Sequence, residues 1–197
     1  LSETNMHTTN TQKNYMQAIK NYLQQQAKLE VIPTGQQPRI ARDPEVRAVV
    51  FDIYGTLMVS ASGDVDEAGA TPEGIQKALE AAGIRVLAEN KAQVFSEMLH
   101  MHTAGIQAMQ QELRTAERPY PEIEIRKVCA RVLEQAVARK WLEIPASARC
   151  EDMVFVFELL SNPVSAMPGL TEVVPYLHHA GFPLGIVSNA QFYTPVL

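Results

Sequence analysis

Cysteine is scarce in this chain. Cys129 and Cys150 are the only two among 197 residues, too few for a disulfide framework and not spaced as CxxC. A reducing, cytoplasmic setting is the expectation. Long apolar runs are missing too: no stretch approaches the ~20 residues that cross a bilayer. The opening Leu-Ser-Glu-Thr-Asn-Met-His lacks the basic and apolar regions of a secretory leader. Positive charge is in the minority, with Lys+Arg 17 against Asp+Glu 22 and a net charge of −5. Broad binding to nucleic acid or to an anionic membrane is therefore not expected. Internal repeats and low-complexity tracts are lacking as well. What remains is an ordinary globular composition, 46% hydrophobic and 20% charged.

Along the chain, residues 1–14 are polar and offer little apolar surface to offset the entropy of ordering. From Lys13 to about Ile32, Tyr15, Ile19, Tyr22 and Leu23 fall on one face at helical spacing. Pro33-Thr34-Gly35 ends that helix, and 36–45 reads as a linker. Val46-Arg47-Ala48-Val49-Val50-Phe51 is short, β-branched and not alternating, which predicts a strand buried on both faces of a parallel sheet. Leu57-Met58-Val59-Ser60 with the turn signal Ser62-Gly63-Asp64 predicts a short hairpin-like flap.

Helices are expected over much of the region from 72 to 161. Pro72-Glu73 opens the first, and Gly83 caps it. The second spans about Asn90 to Glu117, with Val94, Phe95, Met98, Leu99, Ile106, Met109 and Leu113 as its apolar stripe, before Pro119 and Pro121 break it. The third runs from about Glu122 to Trp141 and the fourth from about Ser147 to Leu160. A fifth covers Leu170 to Ala180, capped by Gly181, and leads into the apolar strand Leu184-Gly185-Ile186-Val187. The order strand, flap, helical insertion, helix, strand is an α/β pattern.

Both apolar strands end in polar residues: Phe51-Asp52 in one, Val187-Ser188-Asn189 in the other. Ligands of open parallel sheets bind at strand carboxyl ends, so the two pairs share a crevice if the strands are neighbours. A carboxylate placed directly after Val-Val-Phe is costly to bury without compensation. Elsewhere, His100 and His102 are two apart on a helix and do not share a face. His178-His179 lies near a helix end. Glu122 and Arg126 read as surface ion-pairing groups at a break between helices. Cys129 and Cys150 read as core residues.

The segment Val49-Val50-Phe51-Asp52-Ile53-Tyr54-Gly55-Thr56-Leu57 resembles motif I of the haloacid dehalogenase superfamily, hhhhDxxGT(L). Pro168-Gly169-Leu170 through Leu184-Gly185-Ile186-Val187-Ser188-Asn189-Ala190 resembles the helix and strand that lead into its motif II. The resemblance covers about residues 46–197. It implies a Rossmann-like core at 46–63 and 165–197, an all-helical C1 cap at 64–164, and an N-terminal extension at 1–45. It further implies that Asp52 is a nucleophile that forms a covalent aspartyl intermediate. Mg²⁺ would be held by the Asp52 carboxylate and the Tyr54 backbone carbonyl, Thr56 would position the loop, and Ser188 with Asn189 would bind the transferred group.

Tyr54 stands where phosphatases of the superfamily carry a second Asp. Its phenol, with an ordinary pKa near 10 against ~3.9 for Asp, exchanges a proton poorly at neutral pH. Leaving groups that need no proton suffer least: acyl phosphates and other activated esters, or a halide, since DxYGT also occurs in 2-haloacid dehalogenases. The dehalogenase alternative also implies an early arginine. Arg85 is the first after Asp52, and it reads as solvent-facing. A non-catalytic binding or scaffold domain, docking through the helix at 13–32, is the third alternative. The lysine and acidic motifs expected after motif II do not occur in 190–197. The resemblance therefore implies an incomplete core and a fragment without turnover. A small molecule is the expected partner, with the N-terminal and cap helices as surfaces for homo-oligomerisation.

Overall fold

A computed structural model describes residues 29–37, 41, 43, 45–61, 69–191 and 194. The chain divides into two compact units, one drawn from the chain up to Gly63 and Pro163–Ser188, the other from Asp64–Asn162 and Asn189–Val196. The mixed α/β class expected from the sequence is observed, with five helices and six short strands among the described residues.

In the first unit, β1 (Val49–Phe51) pairs in parallel with β6 (Leu184–Ile186), Val49 opposite Leu184 and Phe51 opposite Ile186. The ladder extends one step further, since Val187 N–H donates to the Phe51 carbonyl at 2.9 Å. The shared crevice was conditional on these strands being neighbours, and burial on both faces was expected. They are neighbours, but Val50, Ile186 and Val187 are 62%, 60% and 73% exposed. A two-stranded sheet has too little width to shield both of its faces.

β2 (Met58–Ser60), the strand of the expected flap, pairs antiparallel with β5 (Val164–Ala166), Met58 opposite Ala166. Three-residue β5 carries no alternation that a sequence reading could detect. The bond from Ala61 N–H to the Pro163 carbonyl, 3.0 Å, closes one end of the pair, and Met167 N–H to the Leu57 carbonyl, 2.9 Å, closes the other. The turn signal 62–64 lies outside the described residues. So does most of the predicted helix at 13–32, whose last residues, 29–32, have no regular secondary structure. Helix α5 (Leu170–His179) forms as expected even though Pro175 removes one of its N–H donors.

The second unit is helical. Thr71 Oγ1 caps α1 (Pro72–Ala81) by accepting from Gly74 N–H at 3.1 Å, and Pro72 occupies the first turn, where its missing N–H costs nothing. The helix ends as predicted at Gly83, φ +71°, with Ile84 N–H on the Leu79 carbonyl and Gly83 N–H on that of Glu80. Asn90 caps α2 (Lys91–Leu113), which stops short of the predicted Glu117. The Thr115 hydroxyl accepts from Arg118 N–H at 3.0 Å and draws the backbone into a turn.

Helix α3 runs from Ile125 to Ala138, three residues inside the expected span at each end. Its end is an αL turn at Lys140, φ +58°, a place usually filled by glycine. β3 (Arg85–Val86) and β4 (Leu142–Glu143) form a small antiparallel bridge, and α4 (Cys150–Ser161) completes the unit. Ile75, Leu79, Met98 and Phe157 are fully buried at its centre. A second cluster joins Met109, Ile125, Val128, Cys129 and Val154. Cys129 belongs to this core as expected. Cys150 does not; as the first residue of α4 it is exposed. No helix among the described residues is long and apolar enough to cross a membrane.

Candidate active site at the carboxyl ends of two parallel strands

Asp52 follows β1 immediately. Because Phe51 is level with Ile186, the residues leaving the sheet beside each other are Asp52 on one strand and Val187-Ser188 on the other. Parallel pairing therefore brings Asp52 and Ser188 to the same end of adjacent strands. The cost of burying a carboxylate that the sequence raised does not arise, since Asp52 is exposed and its Oδ1 accepts from Ile53 N–H at 2.7 Å. Ser188 is half-buried.

The turn after Asp52 is built around one carbonyl. The oxygen of Ile53 accepts from the N–H groups of Thr56, Leu57 and Met58 at 3.2, 2.8 and 2.9 Å. Gly55, at φ +78°, sits where a side chain would be strained, and its N–H donates to the Met58 carbonyl at 2.8 Å. Tyr54 is half-buried and bridges to Met58, while Thr56 is exposed. Asn189, next to Ser188 in the chain, groups with the helical unit.

A profile of the haloacid dehalogenase-like hydrolases matches residues 46–195. The chain belongs to that family. No curated protein and no solved structure matches it at a significant level.

Asp52 is an exposed carboxylate at the carboxyl end of β1. The hard oxygens that could hold a cation are the Asp52 carboxylate and the Tyr54 carbonyl. No group of three or more His, Cys, Asp or Glu side chains suited to a metal occurs among the described residues.

The other candidates have structural explanations. Arg85 is exposed and pairs with Glu143 across the β3–β4 bridge. His102 is buried edge-on against Phe157, ring centroids 5.0 Å apart, whereas His100 is exposed on another face of α2. His178 and His179 are exposed, the Nδ1 of His179 lying 2.6 Å from the Pro175 carbonyl. Arg126 forms two hydrogen bonds to Glu124, 2.8 and 2.7 Å, as the surface-pairing reading expected. These bonds hold the Glu124 carboxyl below its usual range and push the Arg126 guanidinium higher. Glu122 is exposed.

One buried carboxylate escaped the sequence reading: Asp152, in the first turn of α4, 3.5 Å from the Arg149 guanidinium. Burial raises its pKa above the ordinary value, with Arg149 opposing the shift. A single Asp on an apolar helix carries no sequence signal of this kind. The side chain of Gln191, two residues beyond Asn189, was also not singled out, because an isolated glutamine has no signature.

Proposed function

We propose that the chain hydrolyses a small phosphorylated or otherwise activated metabolite, with Asp52 as a carboxylate nucleophile. The reading rests on the pairing of β1 with β6, which sets an exposed Asp52 beside the strand that leads into Ser188. An oxygen of Asp52 attacks the electrophilic centre, and the bond to the leaving group breaks with its electron pair. Water then attacks the aspartyl intermediate and restores the carboxylate. The Ser188 hydroxyl and the N–H groups beside Asn189 bind the transferred group, and Thr56 holds the turn behind the nucleophile.

The donors suit Mg²⁺, which is commonly held by one or two carboxylates and completed by substrate oxygens and water. Asp52 and the Tyr54 carbonyl would hold it, and when bound it offsets the repulsion between the carboxylate and an anionic substrate. Tyr54 is a weak proton donor at neutral pH, which favours acyl phosphates and similar substrates whose leaving group departs unprotonated. The same residue favours a second reading, hydrolysis of a 2-haloacid. Arg85 does not support that reading, because its guanidinium is engaged by Glu143.

The test reads covalent labelling of the nucleophile. The chain is mixed with acetyl phosphate and Mg²⁺, quenched, reduced with borohydride and mapped by mass spectrometry. Modification is expected at Asp52 and is abolished in Asp52→Asn. Chloride release from 2-chloropropionate that is insensitive to EDTA, without such labelling, would transfer the assignment to the dehalogenase reading. Neither signal would remove the hydrolase assignment from this chain.

A further inference from the structure

The side chain of Gln191 uses both ends of its amide. Nε2 donates to the Ile123 carbonyl at 2.9 Å, and Oε1 accepts from Ile125 N–H at 3.5 Å. Ile125 is the first residue of α3, and its N–H is one of the donors that a helix start leaves without an internal acceptor. Glu124, at the N-cap position, makes no side-chain capping bond to the helix; its carboxylate is taken by Arg126. The acceptor comes instead from a residue 66 positions away in the sequence.

The recipient segment is itself fixed. Ile125 is buried with Met109, Val128, Cys129 and Val154, and Ile123 packs on the same cluster. On the far side of Gln191, its carbonyl accepts from Thr194 N–H at 3.1 Å, and Thr194 is 4% exposed. Gln191, two residues beyond Asn189, is thus held within the helical unit by both its side chain and its carbonyl.

We infer that Gln191 is a positioning residue for Asn189 and the backbone N–H groups beside it. The inference rests on the reading that this loop binds the transferred group. Donors that are already held in place need not be ordered when the group arrives, which is the basis of pre-organised binding. Glutamine suits the role because it offers a donor and an acceptor from one side chain; glutamate lacks the donor and methionine lacks both.

The test compares Gln191→Met and Gln191→Glu with the parent chain by NMR, with inorganic phosphate and Mg²⁺ as the probe. In Gln191→Met, backbone order parameters at 189–191 are expected to fall from about 0.85 to below about 0.6. Exchange of the Ile125 amide speeds up, and phosphate binding read at the Ser188 and Asn189 amides weakens, each by about tenfold. Amides of α1 and α4 keep their protection. Gln191→Glu restores Ile125 protection but only part of the phosphate affinity.

Unchanged order parameters and phosphate affinity in Gln191→Met would overturn the positioning role. So would a uniform loss of protection through α1 and α4, which would mark a residue of general stability. Failure of the parent Ser188 and Asn189 amides to respond to phosphate would overturn the functional reading. The order parameters and Ile125 exchange would still decide the tether.

Discussion

In the helical unit Ile75, Leu79, Met98 and Phe157 are wholly buried. In the unit that carries Asp52, Val164 is the one buried hydrophobic residue among those described, while Val50, Ile186, Val187, Val173 and Tyr176 are all at least half exposed. The contrast follows from the elements each unit is made of. Amphipathic helices hide one stripe each against near neighbours in sequence, so four of them close a core. A parallel pair of strands has two apolar faces and two open edges, and needs covering layers on both sides. The proposed nucleophile Asp52 therefore stands on the less buried scaffold, and among the described residues the buried apolar core is concentrated in the helical unit.

Truncation of side chains should expose that difference most directly. Phe157→Ala removes a fully buried ring and is expected to cost about 3–5 kcal/mol in denaturant unfolding. Val50→Ala, at a site 62% exposed, should stay within about 0.5 kcal/mol. Comparable losses for the two would break the contrast.

A smaller effect should come from the end of α3. Lys140 adopts the αL conformation there, and Lys140→Gly is expected to raise stability by about 0.5–1 kcal/mol. A loss of stability would show that the lysine side chain outweighs its backbone strain.

The smallest change concerns Asp152, and its sign can be derived. Burial raises its folded-state pKa above the unfolded one, so between the two values the folded chain binds more protons and stability falls as pH rises. Above the raised folded pKa the full penalty is present. Asp152→Asn should therefore raise the melting temperature at neutral pH, with the gain shrinking as pH falls through that pKa toward the unfolded value. A gain that persisted unchanged in acid would assign the effect to packing rather than to charge.

Much of this was legible in the residues themselves. Gly83 and Gly181 marked helix ends because a positive φ leaves few alternatives to glycine. Val49-Val50-Phe51-Asp52 announced a strand that ends in a carboxylate, and the polar ends of β1 and β6 pointed to one crevice on the condition, met in the structure, that the two strands are neighbours. β3, β4 and β5 did not announce themselves, since two or three residues cannot show a period of two. Lys140 could not mark its turn because lysine has no special preference for that geometry. The exposure of Val50 and Asp52 was hidden for a different reason: burial belongs to the neighbours of a residue, not to its own chemistry. Gln191 was silent because its partners lie 66 and 68 positions away.

The pairing of β2 with β5 has a consequence for how such a chain can change. The backbone leaves this pair at Ala61 and comes back at Pro163, where a single hydrogen bond of 3.0 Å joins the two ends. An excursion whose ends already meet imposes no geometric demand on its own length, and the entropy of closing it grows only logarithmically with the residues it holds. The junction acts as a socket. The length of chain between Ala61 and Pro163 can therefore change while Met58 stays opposite Ala166.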